Sequence, residues 1–155
     1  EFSKIKQDLE GMSAIDILEL HMAEDKQKIS AMHMLSKLLL ICTSRRLKIL
    51  PLFICRMVQL SLKYGLFGES ALGFATFAWF MVASPNSIKH AYLYRQVALR
   101  LVEKVKLKQH KVHVYLAVYA GINCWMERLQ SSIEPLEYAY RLGMSCGEIQ
   151  YAYIP

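Results

Sequence analysis

Hydrophobic positions recur with helical spacing along most of this chain. From Ile88 to Val105 the apolar side carries Ala91, Tyr94, Ala98, Leu101 and Val105, and the other side carries Lys89, Gln96, Arg100, Glu103 and Lys104. That spacing predicts an amphipathic helix with one wet face, entered through the turn cluster Ser84-Pro85-Asn86-Ser87, which can supply the N-cap. The preceding segment, Ala71 to Ala83, is apolar nearly all round, with Thr76 its one polar side chain. A helix of that kind has to be covered on most sides. An inner helix followed by an outer one predicts a helical hairpin within a stack.

The pattern returns further on. Lys111 to Met126 is almost wholly apolar, and Ser131 to Gly143 follows as a second outer helix. Ser131 with Glu134 fits a capping box, Pro135 suits a first turn, and Gly143 sits where a left-handed C-cap is needed. Gly147-Glu148 then opens a third inner helix. The β-formers Val112, Val114, Tyr115, Val118 and Tyr119 admit a strand, but the length of the run and its helical neighbours favour a helix. Towards the N-terminus, Pro51 to Tyr64 reads as a helix with Pro in its first turn and Gly65 at its end, and Asp25 to Thr43 as its inner partner. Ser13 to Leu20 reads as a short helix.

Tyr64-Gly65 followed by Gly68-Glu69 is matched by Leu142-Gly143 followed by Gly147-Glu148, roughly 79 residues on. That is two units of about 40, in the range of helical-repeat proteins. Gly73, Ala91, Ala98 and Ala152 supply small residues where paired helices must approach closely. The expected fold is therefore all-α: a right-handed, tetratricopeptide-like α-solenoid of stacked antiparallel hairpins. Its repeats fall at residues 25–65, 68–106 and 108–146, with a further one opening at 147, after an acidic N-terminal stretch over residues 1–24. Glu1 opens inside a polar stretch and residues 148–155 read as a helix that is cut, so the chain is expected to be a piece of a longer protein. Stacked repeats gain stability from their neighbours.

Composition narrows the class. The chain is 155 residues long, 54% hydrophobic and 21% charged, which excludes disorder and fits one modest domain. Its formal charge of +6 is unevenly spread. Glu1 to Asp25 holds seven acids and two lysines, whereas Lys26 to Gly68 holds eight bases and no acid. The two stretches are expected to attract each other or to meet outside partners. No run reaches the ~18–20 apolar residues of a membrane span. Cys42, Cys55, Cys124 and Cys146 lack C-x-x-C spacing and no secretory signal precedes them, which predicts reduced, mostly buried thiols in a cytoplasmic protein.

Candidate chemistry is sparse. No phosphate-cradling loop and no G-x-G-x-x-G occurs. His110 and His113 share a helix face, a spacing a metal can use, but no Cys, Asp or Glu adjoins them in sequence. None of the five histidines (His21, His33, His90, His110 and His113) is followed by the acid that marks a phosphoacceptor helix. Cys124 beside Trp125 invites a thiol-nucleophile reading, which an apolar inner helix contradicts. The basic block from Lys26 to Lys63 is expected to lack interleaved exposed aromatics, which favours a solvated face or an acidic protein neighbour over nucleic acid. Of the many tyrosines, Tyr92, Tyr94, Tyr115, Tyr119, Tyr138, Tyr140, Tyr151 and Tyr153 cluster in the repeats, where inter-helix packing is expected for most and recognition for any on a concave face. No catalytic, cofactor-binding or metal-ligating residue is assigned, and no cofactor is expected.

Several runs carry a resemblance. Arg56-Met57-Val58-Gln59-Leu60-Ser61-Leu62-Lys63-Tyr64-Gly65 with Glu69-Ser70-Ala71 is one. Ala98-Leu99-Arg100-Leu101-Val102-Glu103-Lys104 is another. Trp125, Ser132-Ile133-Glu134-Pro135-Leu136 and Ala139-Tyr140-Arg141-Leu142-Gly143 complete the set. Together they resemble the helical-repeat region that follows the AAA/STAND-type ATPase in large serine/threonine kinase–ATPase–GAF–histidine kinase signalling proteins. The resemblance spans roughly Asp25 to Tyr153. The chain departs from it at Ser84-Pro85-Asn86, where relatives often have Gly-Asp, and at Cys124, where they often have His. It implies a non-catalytic interaction and coupling module, with kinase chemistry and ATP binding in flanking domains. The partners it implies are those domains, protein partners or a second copy, with nucleic acid disfavoured. A stand-alone helical-repeat adaptor is the alternative.

Overall fold

The computed structural model describes residues 11–83, 87–105 and 108–148, together with Ile5, Gln7 and Leu9. Every regular element among them is helical: α1 (Ala14–Glu19), α2 (Lys26–Ser44), α3 (Leu50–Tyr64), α4 (Ser70–Val82), α5 (Ile88–Val105), α6 (Lys108–Tyr115) and α7 (Gln130–Cys146). Between α6 and α7 the chain winds through a π-helical stretch, Leu116–Ile122, and a 3-10 turn, Asn123–Trp125. The all-α expectation holds at this level. Residues 112–119 are helical and not a strand.

Local chemistry sets the helix ends. Ser13 and Asp16 close a capping box on α1, with Ser13 N–H donating to Asp16 Oδ2 at 2.7 Å and Asp16 N–H to Ser13 Oγ at 3.2 Å. The same bonds hold the Asp16 carboxyl below its ordinary range. Asp25 Oδ1 accepts the Gln27 and Lys28 amides at the start of α2. Pro51 lies in the first turn of α3, where its missing N–H leaves no helical bond unmade.

Gly65 ends α3 at φ 96°, ψ 179°, a region open essentially to glycine alone. The reason is a clamp. Leu66 N–H donates to His21 O at 2.8 Å and Ala23 N–H returns to Leu66 O at 2.8 Å. A Cβ on Gly65 would lie 2.5 Å from His21 O.

Helix α4 is the interior element. Eleven of its 13 residues are buried, which follows from its lack of a polar face. It packs on α3, α5, α6 and the π-helical stretch. Phe74 and Phe77 meet Tyr94 of α5, the latter edge-on at 5.6 Å between centroids. The buried Thr76 hydroxyl donates back to Leu72 O at 2.8 Å and Gly73 O at 3.1 Å, so the polar group is satisfied within its own helix. Gly73 permits close approach to α3, since a Cβ there would stand 3.2 Å from Met57 Cβ. At the α3–α4 corner, Ser61 and Ser70 hydroxyls pair at 2.7 Å and Ser70 Oγ accepts Phe67 N–H. Helix α1 crosses α5, and Lys104 Nζ donates to Leu18 O in its last turn at 3.1 Å.

The C-terminal helix departs from expectation. It begins at Gln130 without a side-chain cap. Ser131 Oγ donates to Glu127 Oε2 and Arg128 O and makes no capping box. Pro135 sits beyond the first turn, inside the helix. Gly143 is buried within α7 and does not cap it. The left-handed cap is Gly147 at φ 81°, so Gly147 closes α7. The turn Ser84-Pro85-Asn86 and all but the first residue of the helix expected over 148–155, with Tyr151, Ala152 and Tyr153, lie outside the described residues.

Candidate functional site

Two regions gather polar or unpartnered groups. The first joins histidines and carboxylates far apart in sequence. His33 on α2 places Nδ1 3.0 Å from Oε1 of the buried Glu69, which precedes α4. His110 Nε2 on α6 lies 4.0 Å from the same oxygen. One turn further along α6, His113 Nε2 stands 3.4 Å from Oε2 of Glu148. Glu148 is delivered there by the Gly147 turn: both the Gly147 and Glu148 amides donate to Gly143 O, a Schellman-type closure.

Burial sets the charge state of this cluster. It lowers His110 and pushes His113 down to about 4, against the attraction of Glu148 in both and of Glu69 at His110. Lys37 adds like-charge repulsion to each ring. Both imidazoles are therefore neutral near neutral pH, and the cluster ties α2, α4, α6 and the end of α7 together. Sequence spacing brought His110 and His113 onto one face correctly. It missed Glu69 and Glu148 as their neighbours, because both arrive through long-range packing that leaves no local signal. Among the described residues no group of His, Cys, Asp and Glu has metal-binding geometry.

Apart from these two regions, a polar knot sits behind the 3-10 turn. The buried Arg95 bonds Glu127 at 3.1 Å and lies over the rings of Tyr92 and Tyr119 at 5.4 and 6.0 Å. Glu127 also accepts from Asn123 and Ser131. It anchors the irregular Leu116–Trp125 stretch, whose wide π turn brings Gly121 against the Trp79 indole, 2.9 Å from where a Cβ would stand.

The second region is an apolar groove on the α2–α3 hairpin. Met34, Leu35, Leu38 and Leu60 line it, Lys28 and Arg56 edge it, and its volume is about 350 Å³. The basic block thus faces a partly apolar surface.

The remaining candidates fall as follows. Cys42 and Cys55 are buried and none of the four cysteines is in a disulfide, but Cys124 is exposed, contrary to the buried position expected of it. The cause is the 3-10 turn, which breaks the inner-helix pattern and turns Cys124 and Trp125 outward. The Cys124 thiol donates to Ala120 O and Gly121 O at sulfur distances of 3.5 and 3.6 Å. Tyr94 is fully buried, whereas Tyr92, Tyr138 and Tyr140 are exposed, so tyrosine packing is less general than expected. Among the described residues no helix is long and apolar enough to cross a membrane.

No family model, no curated protein and no solved structure matches this chain.

Proposed function

We propose that this segment is a non-catalytic helical-repeat module, a tetratricopeptide-like α-solenoid with units of about 40 residues. It couples the ATPase state of a large signalling kinase to its other domains. The observation that carries the reading is the surround of α4: an apolar helix held between α3 and α5 and extended by α6, each paired with its successor. Nearest-neighbour packing of that kind supports a stack whose outer surfaces are free for partners. The kinase, ATPase and histidine-kinase context rests on the resemblance of residues 56–65, 98–104 and 132–143. In that context the module acts in the cytoplasm.

Sequencing the transcript outward from both ends tests the reading. A phosphate-loop ATPase upstream and a GAF or histidine-kinase region downstream are expected. Stop and start signals close to both ends, with no ATPase, contradict the kinase context and leave a stand-alone adaptor.

A further inference from the structure

We propose that the α2–α3 groove receives an amphipathic helix of a partner protein whose polar positions are acidic. The proposal rests on reading the segment as an interaction module, and it names the partner's chemistry. Helix α2 is apolar on two sides. Met32, Leu39 and Cys42 point into the core, while Met34, Leu38 and Ile41 point outward, and Met34 is 66% exposed. The outward residues stand at i, i+4 and i+7, two turns of one face, or about 10 Å of helix. A contiguous apolar stripe of this kind on a folded domain marks a contact surface.

Shape selects a helix. Leu60 of α3 closes the groove from the other side, so the apolar floor is concave. A helix with anchors at i, i+3 or i+4 and i+7 fits a concave apolar floor of two turns. A second hollow of about 410 Å³ shares Arg56, Leu60 and Tyr64 with the first and is flanked by Lys63.

Charge selects acidic partners. The segment Lys26 to Gly68 carries eight bases and no acid. Lys28 and Lys63 both lie over the Tyr64 ring, at 5.2 and 5.3 Å. Among the described residues no carboxylate pairs with Lys28, Arg56 or Lys63. These cations border the apolar floor, so an incoming carboxylate meets them at the rim. A second copy docked face to face through this groove would bring like charges together. A nucleic acid would need a free ring for stacking, and Tyr64 is half-buried under two lysines. A bilayer surface would meet a convex apolar face better than a groove.

The test is a selection from displayed random peptides of about 16 residues, long enough for three anchors on one helical face. The bait is the whole 155-residue chain. Selected peptides are then measured by fluorescence anisotropy against the chain and its Met34→Glu, Arg56→Glu and Lys108→Glu variants, with circular dichroism confirming that each is folded. All three positions are exposed. Expected are peptides with apolar residues at helical spacing and Asp or Glu between them. Their affinity falls about ten-fold or more with Met34→Glu and with Arg56→Glu, stays unchanged with Lys108→Glu, and weakens as salt rises. Recovery of no peptide overturns the proposal. So do peptides without acids or helical period, and binding indifferent to both groove substitutions. Tighter binding of phosphatidylserine vesicles or single-stranded RNA, lost with the same substitutions, replaces it with a membrane or nucleic-acid face. The transcript decides the kinase context separately, so failure of one leaves the other intact.

Discussion

Helix α4 is apolar nearly all round and α2 is apolar on two sides, and their surroundings differ. Helix α4 is enclosed by α3, α5, α6 and the π-helical stretch, whereas α2 packs on α3 and leaves Met34, Leu38 and Ile41 in solvent. The two also differ in polar content. Thr76 of α4 satisfies itself, while the exposed His33 and Lys37, one turn apart, give α2 an edge that can stay wet. An apolar circumference therefore says that a helix will be covered somewhere. It does not say whether its own chain supplies the cover.

The contrast can be broken by truncating one residue of each helix. Phe74→Ala, at a fully buried site, is expected to cost about 3–5 kcal/mol, and Met34→Ala less than about 0.5 kcal/mol, by urea denaturation. Similar losses at both sites would mean that α2 is buried in solution.

The two left-handed glycines offer the next test. Gly65→Ala is expected to destabilise by about 2–3 kcal/mol, because backbone strain adds to the clash with His21 O. Gly147→Ala should cost only about 1 kcal/mol, since a Cβ there meets nothing within 4 Å. Equal losses would remove the His21–Leu66 clamp from the account.

The pH response of the histidine cluster comes third. His113 titrates near 4 when folded against an ordinary 6.5, so between these values the unfolded chain binds a proton that the folded chain does not. Stability is then greatest above 6.5 and falls as pH drops towards about 4, by on the order of 3 kcal/mol from this group. His110 shifts in the same direction and adds to the fall. Denaturation of His113→Gln across that range should show a flatter profile, and an unchanged slope would place the titration elsewhere.

The smallest effect belongs to the ion pair that bridges α5 and α6. Lys111 Nζ bonds Glu103 at 2.7 Å, and that bond holds the Glu103 carboxyl below its ordinary range. Lys111→Ala is expected to lose only about 0.5 kcal/mol in thermal unfolding, with the loss shrinking as salt is added.

Legibility followed the range of the interactions. Asp25, Ser13, Pro51 and Gly65 marked element ends because each acts within a turn of its own position. The enclosure of Ala71 to Val82 was readable because no polar face existed to be exposed. The end of α7 was misplaced by one turn. Gly143 and Gly147 both suit a cap, and only burial of Gly143 against the rest of the molecule decides between them. The Leu116–Ile122 π turn could not be read from an apolar run, since the close contact it makes, Gly121 against a tryptophan more than forty residues away, leaves no local signal. Of the candidate site, only the shared face of His110 and His113 was visible. Glu69, Glu148 and the groove between α2 and α3 depend on tertiary packing.

Amide hydrogen exchange of the free chain tests the central contrast most directly. The account predicts that α4 amides exchange only through global unfolding, while α2 amides exchange through smaller openings and are markedly less protected. Protection of α2 equal to that of α4 would contradict it, because the outward face of α2 would then be covered already.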